Sequence, residues 1–184
     1  DLSGFSIGNF NNGGTTLGGG SSFALSGMHA AGDSWVISYE NGDSAGVSTF
    51  FDVYGFDADE LGLGAFINGD DAIALFDGPA TGDGSDANIV DVYGVIGVDG
   101  SGQTWEYTDG YSFRTFPVAS GNDTFTDGEW FIGGANSLET GDDVEELALL
   151  LANTTPGTHS FVPTPASAAM LGLGGLAAAR RRRA

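Results

Sequence analysis

The chain contains no cysteine and no lysine, and its few cationic side chains are concentrated at one end. Without cysteine, disulfide bonds and thiolate chemistry are excluded. The five arginines are Arg114 and the cluster Arg180, Arg181, Arg182 and Arg183. Residues 1–162 therefore hold 25 acidic side chains against Arg114 alone, a net charge of −24. A body of this charge repels phosphate backbones, so we expect no direct nucleic-acid binding.

Recognisable catalytic motifs are also missing. The chain has neither a P-loop nor a Gly-x-Ser-x-Gly elbow, and His29 and His159 do not stand at a metal-ligand spacing. Paired carboxylates carry no information here, because 25 acidic residues produce pairs by chance. The sequence predicts a protein that is not an enzyme, with no catalytic residue and no cofactor.

Calcium is the one ligand that the acidic loops suit. Four loops combine acidic residues with glycine or polar neighbours, at residues 57–60, 70–71, 83–86 and 99–101. Hard oxygen ligands on such loops fit Ca²⁺, although none matches the EF-hand spacing. Asp83 and Asp86 are the first candidates for a metal site. The alternative interpretation is that these are solvated acidic loops without a bound ion.

Residues 1–161 show alternating apolar residues and turn dipeptides rather than a helical period. The strand candidates are residues 5–8, 22–27, 34–39, 71–76, 88–95, 104–107, 112–115 and 130–132. Short strands at this spacing predict an all-β sandwich or barrel. Residues 142–151 are predicted to form one or two helical turns before Pro156.

Two side-chain environments can be predicted inside this body. Arg114 is its single cation, so we expect a carboxylate to hold it, with Asp91 as the proposed partner. Trp35, Trp105 and Trp130 are predicted to serve the core rather than a ligand platform.

The C-terminal residues 162–184 have three parts in a fixed order. Val162, Pro163, Thr164 and Pro165 form an extended proline box, a small and apolar run follows from Ala166 to Ala179, and the four arginines come last. As a helix, the run would span about 21 Å, which is shorter than a bilayer core of about 30 Å. The arginines would hold their end in the cytoplasm.

This order of parts resembles the PEP-CTERM sorting signal of Gram-negative bacteria, with Thr164 where that family usually has glutamate. The resemblance implies export, transient anchoring in the inner membrane by a short transmembrane helix, and processing near the box by an exosortase-type enzyme. It also implies a final location at the cell surface or in the extracellular matrix, and a connection with exopolysaccharide or biofilm.

The body resembles a bacterial lamin-tail domain, on blocks that stand in the family's order. These blocks are residues 1–7, 23–38, 66–78, 89–115, Trp130 and 155–157. The resemblance implies an immunoglobulin-like β-sandwich over residues 1–161, followed by the sorting tail over 162–184. Because Asp1 stands at the family's Leu-Ser-Gly block, it further implies an N-terminally truncated domain that lacks its first strand.

Three functions follow as hypotheses. The first is a non-catalytic surface module for adhesion, matrix or envelope organisation, with exopolysaccharide or surface proteins as partners. The second is an accessory domain of a secreted nuclease or phosphatase whose catalytic part lies upstream. The third is a carbohydrate-binding module, which aromatic side chains exposed in a row would favour and burial of all three tryptophans would weaken.

Overall fold

A computed structural model describes residues 1–17, 22–30, 32–39, 50–61, 67–80, 88–115, 118 and 120–158. These residues form mostly strands in antiparallel sheets, with few helices, which confirms the β-rich class. The strands are β1 (Phe5–Phe10), β2 (Ser22–Ala24), β3 (Ile37–Ser38), β4 (Glu60–Leu61), β5 (Ala72–Asp77), β6 (Ile89–Tyr93), β7 (Ser112–Arg114) and β8 (Trp130–Ile132). The α-helices are α1 (Phe50–Tyr54) and α2 (Asp143–Asn153), and short 3-10 turns lie at Asn11–Gly13 and Asp127–Glu129.

The strands pair into three sheets. The largest has the order β2-β1-β5-β6, with every neighbouring pair antiparallel. Strands β7 and β8 form an antiparallel ribbon in which Phe113 lies opposite Phe131. Strands β3 and β4 are the parallel exception, with two residues each. The finer assignment to an immunoglobulin-like sandwich stays a prediction.

The core lies on one face of the four-stranded sheet. Phe10, Ala72, Ala74, Phe76 and Val92 form its buried cluster. The three β5 residues of this cluster alternate with less buried ones, as a strand's period of two requires. Small alanines beside the fully buried Phe76 let the sheet and its covering loops approach closely.

Glycine is required at two turns that flank the sheet. Gly69 has a φ of +99°, and a Cβ there would collide with the backbone of Thr108. Gly94 has a φ of +79°, and a Cβ there would lie 2.9 Å from the Trp105 ring. Positive φ and close approach both favour a residue without a Cβ.

The predicted strand at 104–107, flanking the Asp109-Gly110 turn, is wrong. Residues 101–107 form turns instead, in which the Gln103 amide donates to the Gly100 carbonyl and the Glu106 amide to Gln103. The Trp105 ring is buried, and Tyr93 donates to its carbonyl at 2.7 Å. These contacts curl the segment back onto the core, so β7 pairs with the later β8.

The predicted helical segment is present and longer than expected. Helix α2 has 11 residues and begins at the cap Asp142, whose carboxylate accepts from the amides of Val144 and Glu145. The predicted strand at 34–39 is shorter, with β3 limited to Ile37–Ser38. Helix α1 was not predicted. The tail, residues 162–184 with its proposed helix, lies outside the described residues.

Candidate functional site

Arg114 is held at one end of the β7–β8 ribbon by two carboxylates. One of its terminal nitrogens pairs with Asp91 and the other with Glu129, the latter at 2.8 Å. Its guanidinium lies over the Trp130 ring, 4.4 Å from the centroid. The Asp91 carboxylate also accepts from the backbone amide of Asn122. The predicted Asp91–Arg114 pair is therefore confirmed, and it ties β6 to β7 and to the loop at residue 122.

A second group of polar side chains is buried where β1 ends and β5 begins. Asp71 is only 2% exposed, and it accepts from the Asn12 amide at 2.8 Å and from the Asn9 side chain at 3.4 Å. Its neighbour Asp70 accepts from the Ser101 hydroxyl at 2.9 Å. These carboxylates accept from donors on β1, on the turn that follows it and on the loop at residue 101, and so hold these segments together.

Aromatic rings fill the space behind the ribbon. Tyr93 makes edge contacts with Trp105, Tyr107 and Trp130, at centroid distances of 6.2, 5.1 and 4.8 Å. Burial raises the pKa of Tyr93, and burial together with the charges of neighbouring groups raises the pKa of Tyr107 more strongly. The Tyr107 hydroxyl has no hydrogen-bond partner among the described residues. Both phenols are therefore held in their neutral form.

The outer face of the ribbon carries an exposed aromatic row formed by Tyr111, Phe113 and Phe131, in which the two phenylalanines are exposed and Tyr111 is partly buried. Phe113 and Phe131 are 45% and 42% exposed and stack on each other at 4.8 Å. The Tyr111 ring lies 6.4 Å from Phe113 and is nearly parallel to it. Its hydroxyl donates to Asn153 of α2 at 2.9 Å. The sequence analysis did not predict this row, although the spacing of residues 111 and 113 places both on one face of a strand.

The prediction that the tryptophans serve the core is confirmed for Trp105, whereas Trp35 and Trp130 lie at its edge. Trp105 is buried, and Trp35 and Trp130 are partly buried. The indole N–H of Trp35 donates to Glu60 at 3.1 Å, and Trp130 packs on Tyr93. The exposed row is thus built from phenylalanine and tyrosine.

Carboxylates of two acidic loops considered for calcium, at 57–60 and 99–101, accept hydrogen bonds from neighbouring residues. Asp59 accepts from the Val36 amide, Glu60 from the amide and the hydroxyl of Ser26, and Asp99 from the Ser101 amide. Across the described ranges, no group of three or more His, Asp or Glu side chains is placed to hold a metal ion. The first candidates, Asp83 and Asp86, lie outside these ranges.

Of the remaining predicted positions, some lie within the described residues and others do not. His29 packs edge-on against Trp35 at 5.3 Å, whereas His159 is not described. The sorting residues Val162, Pro163, Thr164, Pro165 and Arg180–Arg183 also lie outside the described residues. Within the part of the chain that the structure describes, no helix is both long and apolar enough to cross a membrane.

Comparison with known proteins finds no matching family model, no matching curated protein and no matching solved structure. The lamin-tail and PEP-CTERM resemblances therefore stay predictions that depend on the sequence blocks quoted above.

Proposed function

We propose that this chain is an exported, non-catalytic module of the cell surface or extracellular matrix that acts in adhesion, matrix or envelope organisation. The observation that carries the proposal is the ordered tail of proline box, apolar run and arginine cluster over residues 162–184. An exosortase-type enzyme would process it while the apolar run is transiently in the inner membrane.

The strongly acidic body supports this assignment. Its net charge of −24 over residues 1–162 keeps a surface module soluble and discourages contact with anionic polymers. The carboxylates around Arg114, and those at Asp59, Glu60 and Asp71, stabilise loops through hydrogen bonds. Such use of charge suits a scaffold that presents a surface. We assign the body to the immunoglobulin-like sandwiches of the lamin-tail type, a proposal compatible with its antiparallel sheets.

Intact-mass measurement on protein from its native host tests the export proposal, with inner-membrane, surface and medium fractions separated. We expect the surface and medium forms to lack everything beyond the 162–165 box. A variant with Arg180–Arg183 replaced by glutamine should keep the mass of the unprocessed chain. The control Thr158→Ala, upstream of the box, should be processed normally. A full-length chain that stays in the inner membrane would overturn the proposal in favour of a plain anchor.

The second candidate function is carbohydrate binding, and the exposed aromatic row favours it. Tyr111, Phe113 and Phe131 present apolar ring surface that core packing does not use. Sugar C–H groups bind such surface, while the acidic body selects against anionic polymers. Affinity electrophoresis in gels with neutral exopolysaccharide tests it. Phe113→Ala and Phe131→Ala should abolish the retardation, and Phe51→Ala, which removes an exposed ring elsewhere, should not.

A further inference from the structure

A groove of about 720 Å³ runs beside α2, and its floor is apolar. Helix α2 itself buries none of its residues fully, and Leu147 on its groove side is 45% exposed. The floor residues come from both helices and from the loops between them, and are Val53, Ile67, Leu138, Leu147 and Leu150. Apolar surface gathered in a concave site indicates an occupant with apolar side chains.

The rim of the same groove is uniformly acidic. Asp109, Glu139, Asp143 and Glu146 line it, and none of the described residues around it is cationic. Arg114, the single cation of the body, is already held by Asp91 and Glu129. An occupant that matches this groove therefore combines a small or apolar segment with positive charge.

One segment of this chain has both properties. The run from Ala166 to Ala179 is small and apolar, and Arg180–Arg183 follow it directly. Apart from the two histidines, the chain's other cationic side chain is Arg114. The complementarity between a four-carboxylate rim and a four-arginine end is what selects this segment over a partner of another kind.

The chain between α2 and the apolar run is long enough to turn back along the groove, which Leu150 near the end of α2 lines. Helix α2 ends at Asn153, and the described chain continues from there toward the tail as far as Thr158. Residues 159–165 can span about 23 Å when extended, and the 11 residues of α2 span about 16 Å. An apolar run laid antiparallel to α2 therefore brings the arginines to its acidic first turn, at Asp143 and Glu146.

We infer that residues 166–183 dock in the groove beside α2, with the apolar run on the floor and the arginines on the acidic rim. Docking covers the apolar run with the body of its own chain before any membrane or enzyme receives it. The inference uses the composition of the tail and not its role in sorting. If the tail is not processed in the host, the docking inference is unaffected. If the tail does not dock, the sorting proposal is unaffected.

Limited trypsin digestion of the full 184-residue chain tests the docking, because the chain has no lysine and trypsin can cut only after arginine. Cleavage at Arg180–Arg183 is followed by intact mass and compared with a synthetic peptide of residues 159–184. Because cleavage tracks the undocked fraction, we expect the folded chain to be cut at least about tenfold more slowly than the peptide. Equal rates would overturn the inference.

Two pairs of variants separate docking from general charge effects. Glu139→Gln with Asp143→Asn removes two of the four negative charges of the rim and should raise the cleavage rate toward that of the peptide. Asp123→Asn with Glu145→Gln removes the same charge away from the groove and should change nothing. Leu147→Gln tests the floor, with Val144→Gln, which is 78% exposed and off the groove, as its control.

Dilution distinguishes the chain's own tail from the tail of a second copy. Protection within one chain does not depend on protein concentration, and the mass in solution stays that of a monomer. Protection that disappears on dilution would assign the groove to a second copy and overturn intrachain docking. Identical cleavage rates for the rim variant and its control would show that the rim carboxylates do not bind the arginines, and would overturn the inference.

Discussion

The four-stranded sheet and the β7–β8 ribbon treat their aromatic side chains in opposite ways. Phe76 in β5 is fully buried among alanines, whereas Phe113 and Phe131 of the ribbon are more than two-fifths exposed. Strand β5 is central and covered, while the ribbon is covered only on the side of Trp130 and Arg114. The difference indicates that the outer rings of the ribbon are not required for the core, so they are free to contact solvent or a ligand.

The largest expected effect is on the buried side of this comparison. Phe76→Ala leaves a cavity in the tightest part of the core and should cost about 3–5 kcal/mol. Phe131→Ala removes a half-exposed ring and its contacts with Phe113 and Tyr111, so it should cost about 1 kcal/mol or less. Denaturant unfolding of both variants measures the contrast. Similar losses would mean that the outer row is part of the core after all.

The ribbon should depend instead on its ion pairs. Arg114→Gln leaves Asp91 and Glu129 without their cation, and we expect a loss of about 2–3 kcal/mol, below the value for fully buried pairs because these carboxylates are partly exposed. Arg114→Lys keeps the charge but cannot reach both carboxylates in one plane, so it should lie in between. Thermal unfolding is the measurement, and an unchanged melting temperature for Arg114→Gln would contradict the structural role.

Helix α2, which contributes no fully buried residue, should respond locally. Asp142→Ala removes the cap that accepts from two amides and should destabilise the helix by about 1 kcal/mol. Hydrogen exchange should speed up in α2 while the β5 amides stay protected. Glu145→Ala, at a first-turn residue whose side chain neither caps the helix nor lines the groove, is the control and should have a smaller effect. Faster exchange in both elements would show that α2 and the sheet unfold together.

The smallest effect at neutral pH is expected for Tyr107→Phe. The substitution removes a hydroxyl that has no partner among the described residues, so stability should be unchanged or slightly higher. Because the folded pKa of Tyr107 is raised, the native state loses stability as the pH rises above the unfolded value of 10.0. Removing the phenol should therefore flatten the alkaline limb of a stability–pH curve.

Tyr111→Phe is the matched control for that measurement. It deletes a hydroxyl that donates to Asn153, so its cost should already be visible at neutral pH. An alkaline limb that is equally steep in wild type and in Tyr107→Phe would contradict the assignment.

Charge and periodicity predicted part of this structure for clear reasons. A single cation in an acidic body must find a carboxylate, so the Arg114–Asp91 pair followed from composition, and the strands at Ala72–Asp77 and Ile89–Tyr93 followed from their apolar residues. Glu129 as the second partner did not follow, because nothing local distinguishes it among 25 acidic residues.

The errors arose where distant contacts overrule local signals. Residues 104–107 were predicted to be a strand, but burial of Trp105 diverts this segment, and the strand beside β7 is β8. Exposure of the Phe113–Phe131 pair was also hidden, since alternation identifies two faces of a strand without telling which one is covered. The groove beside α2 belongs to the same class, because its walls come from segments far apart in the chain.

Buried Asp71 has a consequence for the way in which β5 finds its place. Both faces of β5 are apolar, so a slip of one residue against β1 would exchange one apolar set for another and carry little penalty in polarity. Asp71 immediately precedes the strand, and its carboxylate reaches the Asn12 amide and the Asn9 side chain beside β1. A slipped pairing would pull that carboxylate away from both donors and leave it buried alone. One polar residue thus sets the alignment of a pairing whose apolar side chains do not specify it.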